Sequence, residues 1–119
     1  MKSPKQLIAA IGHSITGVLT AFKDETSIKI QFILGMVTVF FGFYFNISKT
    51  EWFAVILCIA GVLGMEIMNS AIENLSDRIT TEKDPFIKKA KDMGAGAVMM
   101  MALASIIVAC IIFIPKFIA

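Results

Sequence analysis

The chain has almost no net charge: 11 Lys and Arg against 9 Asp and Glu leave +2. That is too little to suggest a nucleic-acid partner, and no basic patch interleaved with aromatics is present. Its two cysteines, Cys58 and Cys110, lie inside oily runs with no CxxC or Cys/His spacing. This argues against a thiolate metal site or a disulfide framework and leaves both as small apolar fillers. No internal repeat, low-complexity segment or long linker is visible. "GHSITG", Gly12 to Gly17, has the spacing of a phosphate-binding loop. Val18 and Leu19 follow where Lys and Ser/Thr are required, and no strand precedes it, so a Walker site is rejected. A protein-kinase signature is absent too.

Charge is also missing locally. Three runs carry none: Ile30 to Ser48, Trp52 to Met65, and Met93 to Pro115. The composition is 57% hydrophobic and the mean hydropathy is +0.81, above the roughly 45–50% apolar content of soluble domains. A hydrocarbon span needs about 17–25 apolar residues. The first and third runs suffice alone; the second suffices if it continues to about Leu75. The expectation is one all-α integral-membrane domain over 1–119, with spanning helices at 29–47, 52–78 and 92–115.

The N-terminal segment reads differently. Leu7, Ile8, Ile11, Ile15, Val18, Leu19 and Phe22 recur at helical spacing, interrupted by Gly12, His13, Thr16, Gly17 and Thr20. This pattern predicts an amphipathic surface helix over 4–25, lying in the membrane interface, with Pro4 in its first turn. A signal peptide is the competing reading, but its core should be cleaner than "IGHSITGVLT" and no convincing cleavage site follows. "FKDETSIK" is expected to hinge into the first span. "NISKTE" is short enough to make the first two spans antiparallel neighbours, and Pro85 is expected to mark a turn before the third.

Basic residues set orientation. Lys2, Lys5, Lys23 and Lys29 precede the first span; Arg78, Lys83, Lys88, Lys89 and Lys91 lie between the second and third. Only Lys49 and Lys116 fall on the other side. This predicts a multi-pass protein of the inner or plasma membrane, N-terminus cytoplasmic and C-terminus outside. Glu25, Glu73, Asp77, Lys91 and Asp92 would then gather at the cytoplasmic face.

Glu66, Asn69, Glu73 and Asp77 are spaced i, i+3, i+7 and i+11, one face of a helix. The stripe descends from the interface into hydrocarbon, where a charge costs roughly 2.5–3.5 kcal/mol on insertion scales. Asn69 and Ser70 alone could be inter-helix glue. Two acids with no intramembrane base nearby make poor glue, and paired carboxylates suit Mg²⁺. Asp77 is also explicable by Arg78, Lys83 or the helix end. Acids, Mg²⁺ and a lysine at one face fit phosphoryl transfer from ATP, with a deeper carboxylate serving a lipid hydroxyl. A small cation-coupled transporter could use Glu66 as an ion site. It would not need Glu25, Glu73, Lys91 and Asp92 at the same face. A non-catalytic membrane subunit could carry polar stripes for assembly.

"EIMNSAIENLSD" resembles the signature of the small prokaryotic diacylglycerol kinases, E-x-x-N-[ST]-A-[IV]-E-x-x-x-D. Glu66, Asn69, Ser70, Ala71, Ile72, Glu73 and Asp77 fill every position. The resemblance extends through "AKDMGAGAV" and back to "FKDE", covering nearly the whole chain. It implies an ATP- and Mg²⁺-dependent kinase of a membrane lipid alcohol, and a homotrimer with sites between subunits. Glu66 resembles the general base; Glu25 and Glu73 resemble the metal-binding carboxylates. Asn69, Asp77, Lys91 and Asp92 resemble the nucleotide-site residues, Lys91 being the phosphate-binding lysine. His13 sits where the family tends to place an aromatic near the adenine. "EWFAVIL", "KDPFIKKAKD" and "IIFIPK" look closer to the undecaprenol kinases of Gram-positive type than to the enterobacterial diacylglycerol kinase. Undecaprenol is therefore slightly favoured over diacylglycerol.

Overall fold

Four helices make up the computed structural model, which describes all residues from Met1 to Ala119: α1 (Pro4–Asp24), α2 (Thr26–Tyr44), α3 (Lys49–Ile79) and α4 (Pro85–Phe117). There are no strands. α2, α3 and α4 are each long and apolar enough to cross a membrane. Only 13 of 119 residues are buried, while side chains as large as Phe40, Leu57 and Ile107 stand exposed. Such a surface is incompatible with water on all sides and fits a protein that borrows lipid as its solvent.

Local chemistry sets the helix starts. Ser3 and Gln6 form a capping box at α1, with Gln6 N donating to Ser3 Oγ at 3.2 Å and Ser3 N to Gln6 Oε1 at 2.8 Å. Ser48 and Glu51 repeat it at α3. Asp84 accepts from Phe86 N and Ile87 N at 2.8 and 3.2 Å, and Pro85 occupies the first helical position, where its fixed φ is preorganised. Pro85 therefore opens α4 instead of marking a turn outside it. The charged segment 85–91 forms the helix's first turns, ahead of the expected start at 92. Hydropathy locates the hydrocarbon; the cap locates the helix. The expected hinge at "FKDETSIK" contracts to Glu25 alone, an extended residue that ends α1 and precedes α2.

α3 lies between α2 and α4, packs most extensively against α4, and touches α1 little. Asn46, at φ 50°, turns the chain between α2 and α3, a conformation Asn tolerates better than most residues. The main hydrophobic cluster, Ile47, Val55, Ile112 and Phe113, lies at the N-terminal end of α3. There Phe41 and Phe45 pack on Phe117 with ring centroids 5.4 and 4.8 Å apart. Lys116 Nζ donates to Glu51 Oε2 at 2.9 Å. The signature acids lie toward the opposite end. At about 1.5 Å per residue, α3 is some 46 Å long and exceeds a hydrocarbon thickness of about 30 Å. α3 is therefore long enough for an end to emerge into the polar region; its first turn carries Glu51, paired with Lys116, and its last turns carry Glu73 and Asp77.

Candidate active site

α3 supplies the backbone of the site. Val55, Val62, Glu66, Ser70 and Ser76 are its buried residues, and the polar stripe follows that face. Glu66 is only 8% exposed, and no hydrogen bond from the chain reaches its carboxylate. A turn further on, Asn69 Nδ2 donates to Glu73 Oε1 at 3.3 Å. The i,i+4 spacing brings the amide over the carboxylate. Asn69 Oδ1 faces the other way, buried and without a partner, against Gly94 of α4. A Cβ at Gly94 would stand 2.6 Å from that oxygen, so the close approach of the two helices depends on glycine here.

α4 adds the cation. Lys91 Nζ donates to Asp77 Oδ1 at 2.9 Å across the α3–α4 seam, and the charge of Glu73 also acts on it. Lys88 Nζ donates to Asp92 Oδ2 at 2.6 Å within α4. A cavity of about 590 Å³ opens beside these pairs, lined by Asp77, Lys88, Lys91 and Asp92 with the connection 80–84. The third segment arrives through Glu25, whose Oε1 accepts from Asn74 Nδ2 at 3.3 Å. Because Glu25 makes no capping bond to α2, its side chain is free to reach α3.

The structure thus links Glu73 with Asn69, Asp77 with Lys91, and Glu25 with the residue adjoining Glu73. His13 stands exposed on α1 and forms no hydrogen bond to this set. Three contributors escaped the sequence reading: Asn74, Lys88 and Gly94. Lys88 had a signal, its i,i+4 spacing to Asp92. Asn74 and Gly94 act across helix seams that no local pattern reveals.

Glu73 and Glu25 are each hard oxygen donors of the type a divalent cation takes. Glu73 and Glu25 each use Oε1 on an amide and keep Oε2 free of hydrogen bonds. Mg²⁺ is commonly held by one or two carboxylates, with waters and substrate phosphates completing its shell. The absence of three convergent acidic, His or Cys side chains is compatible with that mode.

Residues 12–113 match the family described as Prokaryotic diacylglycerol kinase. The chain belongs to that family. It is similar to an undecaprenol kinase of Bacillus subtilis, 34% identical over 104 residues that span 87% of this chain and 85% of the relative. It is also similar to a diacylglycerol kinase of Pseudomonas aeruginosa, 36% identical over 93 residues, 78% of this chain and 76% of the relative. A diacylglycerol kinase of Escherichia coli is 29% identical over 112 residues, 94% and 92% of the two chains. Family membership makes the chain a membrane-embedded phosphotransferase.

Proposed function

We propose that this family member transfers the γ-phosphoryl group of ATP to the hydroxyl of a membrane lipid alcohol, with Mg²⁺, undecaprenol being slightly preferred. The observation that carries the reading is the ordering along α3. Glu66, a largely buried residue whose carboxylate makes no hydrogen bond, precedes the Asn69–Glu73 pair and then the Asp77–Lys91 ion pair. A reaction between a lipid hydroxyl and a water-borne phosphate donor needs groups in that order.

Each residue then has a task. Glu66 accepts the proton of the lipid hydroxyl as attack begins, a contribution of roughly 10²–10⁴-fold for a well-placed base. Lys91 exchanges Asp77 for a phosphate oxygen, and Asn69 keeps Glu73 oriented. Asp77 and Asp92 border the cavity that would receive the nucleotide, and His13 is proposed beside its base. Glu25 and Glu73 would hold Mg²⁺, which when bound neutralises phosphate charge. α1, with Leu7, Ile8, Ile11, Ile15 and Leu19 all exposed, is read as lying in the interface on the cytoplasmic side. The chain is read as a homotrimer of the plasma membrane with sites between subunits, as the family resemblance implies.

The preference for undecaprenol rests on "EWFAVIL", "KDPFIKKAKD" and "IIFIPK". Diacylglycerol is the second reading, favoured by the Pseudomonas relative at 36% identity. The test is purified protein in bilayers with radiolabelled ATP, Mg²⁺ and a panel of lipid alcohols. Label should enter undecaprenol, and more weakly diacylglycerol. Label in neither would refute the kinase reading.

A further inference from the structure

Side chains hold the carboxylates of this chain in two ways. Glu51, Asp77 and Asp92 each accept from a lysine: Lys116, Lys91 and Lys88. Glu73 and Glu25 each accept instead from an asparagine amide, Asn69 and Asn74, at 3.3 Å. Both amides belong to α3, and each takes one carboxylate oxygen and leaves the other. The difference is electrostatic. A lysine neutralises the acid it holds. An amide fixes the direction of the carboxylate and leaves its negative charge in place.

Asn74 does this across a break in the helices. Glu25 lies between α1 and α2 with an extended backbone, φ −109° and ψ 116°. Apolar anchors fix that backbone on both sides. Ala21 and Ile28 are buried, and the Phe22 ring meets Phe32 edge-on with centroids 5.2 Å apart. None of these contacts sets the direction of the Glu25 side chain. It makes no capping bond to α2, and Asn74 Nδ2 is the one donor its carboxylate has. Asn74 directly follows Glu73, so this latch delivers Glu25 to α3 at the level of Glu73. Successive residues of a helix diverge by about 100°, so Glu25 arrives from beside the acid stripe and not along it.

We infer that Asn74 is a positioning residue, an uncharged donor that holds the Glu25 carboxylate against α3 while leaving it charged and open to a divalent cation. The inference rests on the kinase reading above and adds a residue that the signature does not specify: Asn74 is the first x after the second Glu of E-x-x-N-[ST]-A-[IV]-E-x-x-x-D. Partners of this kind orient ligating groups, and their loss typically costs about 10–100-fold in metal affinity or activity. A lysine at this place would hold the carboxylate too, but would neutralise it and repel the cation. The effect of Asn74 therefore belongs in the binding of the metal–nucleotide complex, not in proton transfer at Glu66.

The test is binding of Mn²⁺ with a non-hydrolysable ATP analogue, read from the water-proton relaxation enhancement that the Mn²⁺–nucleotide complex gains on the protein. Full-length protein in phosphatidylcholine vesicles is titrated with no lipid alcohol present. Asn74→Ala should weaken binding about 10–100-fold. Its thermal unfolding should match the native protein, since alanine favours a helix more than asparagine does and the anchors at Ala21 and Ile28 remain. Asn74→Lys should weaken binding as well. In a Glu25→Gln background, Asn74→Ala should cost nothing further, because the group it acts through has already lost its charge. Native affinity in Asn74→Ala or Asn74→Lys, or an undiminished loss in the Glu25→Gln background, would each overturn the assignment. So would a native protein that binds no Mn²⁺–nucleotide complex. Phosphoryl transfer to a lipid alcohol that persists in those cases keeps the kinase reading. Binding that depends on Asn74 through Glu25, in a native protein that phosphorylates no lipid alcohol, would keep the latch and overturn the kinase.

Discussion

Gly94→Ala isolates the contact on which the α3–α4 seam depends. The added Cβ would stand 2.6 Å from Asn69 Oδ1 and 3.3 Å from Ile72 Cδ1. The second contact needs only a slight adjustment. The first cannot persist, so Asn69 must withdraw or α4 must move away. Overpacking of this kind costs about 1–3 kcal/mol, and replacing a helical glycine by alanine returns about 0.8–1.0 kcal/mol. Net destabilisation should therefore be small, about 0–2 kcal/mol. The functional effect should be larger, because the displaced amide is the donor to Glu73 and misplacement by about 1 Å can cost 10²-fold. Gly96→Ala is the matched control: same helix, same chemistry, nothing within 4 Å of the new methyl. Thermal unfolding in detergent and MgATP-dependent lipid phosphorylation are the assays. Gly94→Ala should keep most of its stability and lose about two orders of magnitude in kcat/KM, while Gly96→Ala should keep both. In an Asn69→Ala background Gly94→Ala should cost nothing further, since the atom it strikes is gone. Native turnover in Gly94→Ala, or an equal loss in Gly96→Ala, would refute the reasoning.

Glu66→Gln should lower kcat by roughly 10²–10⁴-fold while MgATP still binds; loss of nucleotide affinity in a titration would remove it from the role of base. Glu73→Gln should instead weaken MgATP binding itself without unfolding the protein, and Mg²⁺-dependent activity near the native level would sink the metal assignment. Cysteines introduced at Ser48 and Thr81 should label from opposite sides of the membrane, and equal access from the cytoplasm would overturn the topology. Glu51→Gln removes the ion pair to Lys116 at the end far from the signature acids, while a glutamine can keep the capping box as Gln6 does at α1. It should lower the unfolding temperature and leave turnover intact, a separation that coupled unfolding and activity measurements would reveal.

The parts of this molecule legible from sequence are those written in a single helix. The stripe from Glu66 to Asp77 is a matter of spacing, and three charge-free runs announce three spans. α4 begins ahead of the span expected from residue 92, because Lys88, Lys89 and Lys91 read as polar to hydropathy while still being helical. Asp84 and Pro85 are the better signal, since a capping acid followed by proline starts a helix whatever its later polarity. Partners across seams were not legible. Asn74 looks like filler between Glu73 and Leu75, and only the fold shows it donating to Glu25. Asp77 and Lys91 both fall in the nucleotide set that the family resemblance implies, and their ion pair adds that each neutralises the other.

Both the stability and the chemistry of this fold follow from how unevenly α3 is packed. At its N-terminal end, aromatic rings, a buried apolar cluster and the Glu51–Lys116 pair hold α2, α3 and α4 together. At its C-terminal end the helices are tied by polar pairs and by one close approach at Gly94. Polar ties can be exchanged: under the proposed function Lys91 would leave Asp77 for a phosphate oxygen with no apolar core to break. A carboxylate in hydrocarbon is costly wherever it has no partner, and Glu66 sits where these two regimes meet. Packed fully, it would have to be paired within the chain; opened fully, it would lose the desolvated surroundings that keep water from competing with a lipid hydroxyl. A largely buried carboxylate without a hydrogen bond suits the proposed role of receiving the proton of a lipid hydroxyl.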